Sequence, residues 1–228
     1  MADSDKFFKE MSGDELAEIE SQLSFPSGEA GKEMALAMNE SNISMTRAAI
    51  EAMELKNNCC VLELGHGNCA HLSELFEKCE TLKFCGLEIS ETMKSEAERL
   101  NKQFKDSNGA EFHLYDGTKF PFQDDQFNRF FTVNTIYFWN DPQQTLAEIH
   151  RVLSEDGIAA IAFGQKRFME QLPFVNDKFS LFDNDKISRL IDQSPFHLKG
   201  IHNFSEEVKS KSGDTVDRHF SIARLSAG

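Results

Sequence analysis

The apolar positions of this chain change their period twice. In the first quarter they recur at helical spacing. Leu16, Ile19 and Leu23 follow Ser12 and Glu15, an S-x-x-E capping box. Phe25-Pro26-Ser27-Gly28 ends that helix, and a second helical stretch over about 29–55, rich in Ala, Met and Glu, follows it. Asn39-Glu40-Ser41-Asn42 is expected to interrupt the second stretch. From Cys59 onward short apolar runs take over. Strands are predicted at 59–64, 82–87, 111–115, 127–133 and 158–163. Between them lie helices through Leu72, Leu75 and Phe76, from near Ser90, and from Pro142 to Leu153, with Pro142 at a first-turn position. Gly117–Gln126 reads as a loop, and Asp156-Gly157 as a turn.

Strand and helix alternate from 59 to 163, which predicts an α/β fold with a doubly wound, mostly parallel sheet. After a helix over 183–191, two further strands at 196–204 and 217–224 are joined through Lys209-Ser210-Lys211-Ser212-Gly213. They predict an antiparallel C-terminal hairpin and bring the sheet to seven strands. Residues 1–56 are expected to form a helical cap, and 57–228 the core, of one domain.

Composition narrows the function. The 228 residues carry 24 Lys+Arg against 38 Asp+Glu, a net −14. That excludes sequence-independent nucleic-acid binding, which needs cations to displace phosphate counterions, and docking on anionic membranes. Half of the imbalance falls in residues 1–56, while 151–228 are neutral. No apolar run approaches the roughly 18 residues that would insert in a bilayer. Cys59, Cys60, Cys69, Cys79 and Cys85 are odd in number and contain no C-x-x-C, so neither a disulfide framework nor a metal site is expected. A cytoplasmic location fits such a chain, as does a monomer or homodimer.

Candidate chemistry gathers where the predicted strands end. Val61-Leu62-Glu63-Leu64-Gly65-His66-Gly67 places glycines after a buried strand and ahead of a helix N-terminus. Glycines let backbone approach a ligand, and free N–H groups favour its anionic parts. Gly65-x-Gly67-x-x-Ala70 also satisfies a dinucleotide fingerprint. Glu63, an acid in a strand that should be apolar throughout, separates the readings. Glu88, at the end of the second strand, can accept both hydroxyls of a ribose. Asp116 with Gly117 can receive an adenine amine, and Asn134 to Trp139 stand over the same sheet edge. Cys69, near a helix N-terminus, is expected to pack rather than to react.

The run from Cys59 to Phe163 resembles a class I S-adenosylmethionine-dependent methyltransferase. It is most similar to the small-molecule branch that includes the quinone-ring C-methyltransferases. V-L-E-L-G-H-G-N, L-E-I-S, Y-D-G-T-K-F-P-F-Q-D-D-Q-F and D-P-Q-Q-T-L-A-E-I-H-R-V-L-S-E-D-G occur in the family's order over about 105 residues. The resemblance implies a Rossmann-like sheet with S-adenosylmethionine as cofactor. Gly65 and Gly67 would pass under its methionine part, with His66 beside the carboxylate or filling a variable position, and Glu63 bracing the loop. Glu88 would hold the ribose, Ile89 and Met93 would pack on the adenine, and Asp116 would bind its amine with Gly117 leaving room. Asn134 would lend its carbonyl to the methionyl ammonium. Cys69 stands where the family's third glycine is usual, Glu88 where Asp is commoner, and Asp156 where a glycine is usual.

The expected function is transfer of a methyl group to a small-molecule acceptor, neutral or cationic in view of the acidic cap. Tyr137 and His66 are candidate catalytic groups, Tyr137 as the substrate-facing one, with His113 behind it. Two rival readings are an NAD-type oxidoreductase and a non-catalytic cofactor-binding protein.

Overall fold

The computed structural model describes residues 11–79, 81–107, 109–209 and 215–228. Five parallel strands form the body of one sheet: β1 (Cys60–Leu64), β2 (Lys83–Glu88), β3 (Ala110–Leu114), β4 (Phe127–Val133) and β5 (Leu153–Gly164). The two C-terminal strands, β6 (His197–Lys209) and β7 (Thr215–Ser226), complete it in the order β3-β2-β1-β4-β5-β7-β6. β7 lies antiparallel between β5 and β6. Both hairpin strands run further than their apolar pattern indicates. Residues 202–205 and Glu207 are exposed, so the ladder continues through positions that no hydrophobic period marks. Most of the expected joining stretch, residues 210–213, lies outside the described residues.

Side chains alternate across the sheet and both faces are covered, which gives the strands their continuous apolar runs. Val61, Phe84, Phe112 and Phe131 pack with Met45 and Ala49 of helix α2 (Gly28–Ala52) and with Leu72 and Leu75 of α3 (Leu72–Lys78). On that same side α4 (Glu91–Leu100) contributes Ala97, and the short α5 (Lys102–Asp106) follows it. Leu62, Leu64, Phe130 and Ile161 point the other way. There they meet Leu146 and Ile149 of α6 (Pro142–Val152), with a one-turn α7 (Lys166–Met169) and then α8 (Asn184–Asp192) supplying Ile187 and Ile191. Each fully buried Val, Leu, Ile, Phe or Met among them contributes about 1.5–3 kcal/mol.

The capping box before α1 (Gly13–Ser24) forms as expected, with Ser12 and Glu15 bonded reciprocally. Likewise Asp141 caps α6 by accepting from the Gln144 amide at 3.0 Å. The expected break at Asn39–Asn42 does not occur, and α2 runs unbroken. Its two asparagines have tertiary partners instead of turning the chain. Asn39 Oδ1 lies 3.3 Å from His71 Nδ1, and Asn42 Oδ1 accepts from Arg218 at 3.2 Å. Asp156-Gly157 falls within β5, where the register against β4 shifts between Phe127 and Arg129. Among the described residues, no helix is long and apolar enough to cross a membrane.

Candidate functional site

The carboxyl ends of β1, β2, β3 and β4 converge on one rim, where open α/β sheets take their ligands. After β1 the backbone turns through Gly65 at φ +70° and Gly67 at φ +56°. These two positions differ. A Cβ on Gly65 would stand 2.4 Å from Thr135 Cγ2, whereas one on Gly67 would stand in open space. Gly65 is thus required by packing, and Gly67 leaves bare backbone facing outward. Cys69, at the third glycine position, takes φ +49° without being glycine. Left-handed backbone costs about 1–2 kcal/mol for an L-residue. The conformation is held by Asn101 Nδ2, which donates to the Cys69 carbonyl at 2.9 Å. Burial pushes the Cys69 thiol well above its ordinary value, so it packs and stays protonated.

Glu63 does not touch the glycine-loop backbone. Its Oε2 lies 2.9 Å from His71 Nε2 and 4.0 Å from Cys69 Sγ, all three buried. The bracing is therefore indirect, through a Glu63–His71–Asn39 chain that ties β1 to the residue before α3 and to α2. Burial opposes a charge on His71, but the Glu63 carboxylate outweighs it and raises His71. His71 is not among the residues that the sequence singles out. Its signal is an imidazole eight residues after an acid in an apolar strand.

Glu88 is 5% exposed. Its Oε1 accepts from the Ile89 and Ser90 amides at 2.8 and 3.2 Å, and Oε2 from Gly67 at 3.0 Å. A carboxylate has about four acceptor sites, so one remains for a ligand, while the other three fasten β2's end to the glycine loop. Burial lifts Glu88 above the carboxylate range against those three amides. Asp116 is engaged on Oδ1 alone, by Thr118 N–H, Thr118 Oγ1 and Lys119 N–H at 2.9, 2.6 and 3.3 Å.

A cavity of about 300 Å3 opens beside these groups, walled by Ile89, Tyr115, Asp116, Gly117, Phe138 and Trp139. Phe25, from the elbow between α1 and α2, closes one side. That elbow is pinned to the start of α4, where Ser90 Oγ donates to the Pro26 carbonyl and the Gly28 amide to Thr92 Oγ1 at 3.3 Å. Phe138 and Trp139 belong to the segment expected over this edge, whereas Phe25 and Tyr115 were missed as lining residues, because a helix break and a strand end mark turns and not what folds over them. Met93 is fully buried one turn beyond Ile89, and the cavity wall there is Ile89.

Two expected site residues are corrected. Tyr137 does not face an open pocket. It is 3% exposed, and its hydroxyl donates to Asn134 Oδ1 at 2.9 Å and accepts from the Gly164 amide at 2.5 Å. Burial raises its pKa, so the phenol stays neutral. Its work is to hold Asn134 at φ +58°, with the Asn134 amide donating to the Ala162 carbonyl at 2.9 Å. His66 turns back under the loop. Nδ1 lies 2.7 Å from the Gly67 carbonyl, Nε2 is buried without a partner, and the ring stands edge-on to Phe112 at 5.2 Å. Burial pushes its pKa down to about 3, so it is a neutral packing group. His113 lies away from Tyr137, on β3 beside Glu111 at 3.3 Å.

Residues 62–161 match the family model described as a methyltransferase domain. YrhH of Bacillus subtilis, whose methyltransferase assignment is itself a proposal, is 30% identical over 108 residues, 47% of this chain and 59% of that one. The chain thus spans less than two thirds of that relative's length. A Haloferax volcanii protein of proposed methyltransferase activity, solved in complex with the Trm112 methyltransferase activator, superposes with a TM-score of 0.72 at 15% identity, over 92% of this chain and 98% of that one. A SAM-dependent methyltransferase from Aquifex aeolicus does so with a TM-score of 0.63 at 18% identity, over 86% and 96%. At these identities the structures show the fold alone.

Proposed function

We propose that the core of this chain is a class I S-adenosylmethionine-dependent methyltransferase domain, and that it transfers the sulfonium methyl to a small-molecule acceptor, neutral or cationic. One observation carries the reading. Open backbone at Gly67, a buried carboxylate at Glu88 and an aromatic-walled cavity with a free Asp116 oxygen meet on one sheet edge. The donor set fits the cofactor: a bare loop for the amino-acid part, a carboxylate for the ribose, a flat apolar slot for the base. When bound, the cofactor supplies a methyl group already activated as a sulfonium, which asks the protein for alignment and exclusion of water. Glu88 binds and orients the ribose, Ile89 packs on the base, and the Asp116 oxygen accepts its amine. Asn134, held by Tyr137, presents its carbonyl to the ammonium. Phe25 and the α1–α2 elbow exclude water at the base end.

The oxidoreductase reading is disfavoured by topology. An antiparallel β7 inserted between β5 and β6 departs from the 3-2-1-4-5-6 order of dinucleotide folds. Thermal shift with S-adenosylmethionine, its demethylated product and NADH decides between them. Ligand at about 100 times its Kd adds about 2.7 kcal/mol, or on the order of 5–10 °C here. A shift with NADH alone overturns the proposal. Label transfer from methyl-labelled cofactor to a panel of phenols, amines and phosphorylated acceptors then tests the acceptor class. Preference for the phosphorylated members counts against a neutral or cationic acceptor. The Trm112 complex of the Haloferax protein supports a second reading, that this chain also works with a protein activator. Its test is the same assay with and without a Trm112 protein.

A further inference from the structure

The two faces of the sheet are covered unevenly. On the face of Leu62 and Leu64, α6 and α8 lie over the middle of the sheet. No helix falls between β3 and β4, and the chain joining them is the loop of residues 115–126, whose Phe122 packs on that face. Three side chains of different chemistry converge there. Cys85 and Glu111 are register partners across β2 and β3, and His113, two residues along β3, shares their face. One ligand atom from each lies within 4.8 Å of the other two. His113 Nε2 stands 3.3 Å from Glu111 Oε2. That is close to the edge of a zinc tetrahedron, about 3.3 Å for bonds of about 2.0–2.1 Å. Phe122 fixes the imidazole plane, its ring edge-on at 5.2 Å. A cavity of about 690 Å3, lined by Glu111, His113, Lys119 and Gln123 among others, opens beside the trio and gives an ion a path and a water for its fourth position.

We propose that Cys85, Glu111 and His113 form a binding site for a divalent transition metal of the zinc type, apart from the cofactor edge. A thiolate with an imidazole selects such an ion over magnesium or calcium. Binding forms a metal–sulfur bond and releases the Cys85 thiol proton to solvent. An ion held there cross-links the edge strand β3 to β2. Glu63, Cys69 and His71 also bring ligand atoms within 4.8 Å, but that trio is sealed from solvent and both nitrogens of its imidazole have partners.

The test is titration of the chelator-treated full chain with cobalt(II), followed by competition with zinc(II). Expected are one cobalt per chain, a thiolate-to-metal charge-transfer band, visible absorption of tetrahedral intensity, and loss of both on adding zinc. C85S should abolish the charge-transfer band, H113A should weaken binding at least tenfold, and C69S should leave both unchanged. If C85S does not fold, H113A and E111Q, at accessible positions, carry the same test. No thiolate band in the full chain, or a band that survives C85S or persists at full affinity in H113A and E111Q, overturns the site.

Discussion

Glu88 and Asp116 differ in what their replacement should cost. Glu88 fastens three backbone amides and directly precedes Ile89, which lines the cavity. E88Q is expected to lower the affinity for the demethylated cofactor at least tenfold. It should also destabilise the fold by about 1–3 kcal/mol, because a side-chain NH2 opposes buried N–H donors. Asp116 is exposed, so D116N should weaken binding with the urea midpoint unchanged. Calorimetric titration and urea melts of the two variants read both effects. An E88Q protein that binds like the wild type would remove the ribose assignment.

The two buried histidines titrate in opposite senses. His66 is held down to about 3, below its unfolded value of about 6.5. The unfolded chain therefore takes up that proton first. The stability it contributes is present above about pH 6.5 and is lost as pH falls toward 3, by up to about 1.4 kcal/mol per pH unit. H66L is expected to flatten this acid limb in urea melts from pH 8 to pH 4, and an unchanged slope would contradict it. His71 is raised, so its contribution is full below its unfolded value and fades as pH rises through the folded one. The stability gap between wild type and H71Q should accordingly narrow as pH rises.

At the scale of elements, the glycine loop is the part whose two glycines do unequal work. G65A adds a clash with Thr135 to the strain of a positive φ, and should destabilise by several kcal/mol and abolish cofactor binding. G67A adds only the strain, about 1–2 kcal/mol, but places a methyl on the bare face where the cofactor would lie. Urea melts with binding titrations should show stability lost mainly in G65A and affinity lost in both. The interior of α2 is likewise fixed by distant partners. Asn39 and Asn42 look like a break because asparagine competes for backbone. They remain helical because His71 and Arg218, distant in sequence, take their side chains.

The whole molecule carries −14, half of it from the first 56 residues. Self-repulsion of that kind is screened by salt. The Tm should therefore rise between low and physiological ionic strength, and a fall would mean that exposed ion pairs dominate. The seven-stranded, mostly parallel sheet with its antiparallel hairpin was legible at this scale, since alternating runs allow few topologies. The length of the hairpin was not, because its outer part is polar and paired.

What the sequence by itself determined is the alternation of elements, the glycine loop, and the strand-end acids Glu63, Glu88 and Asp116. Each depends on short-range pattern, or on a residue type out of place in its local run. What only the tertiary structure decided is the direction in which the polar side chains point. Tyr137 and His66 stand in the right segments, yet both are turned inward by partners on other elements, Gly164 for the one and Phe112 for the other. His71 and Phe25 enter the site from positions whose local pattern marks at most a spacing or a turn, not the partner each one meets. A side chain's environment is set by contacts between distant segments, and the period of a single strand or helix does not encode them.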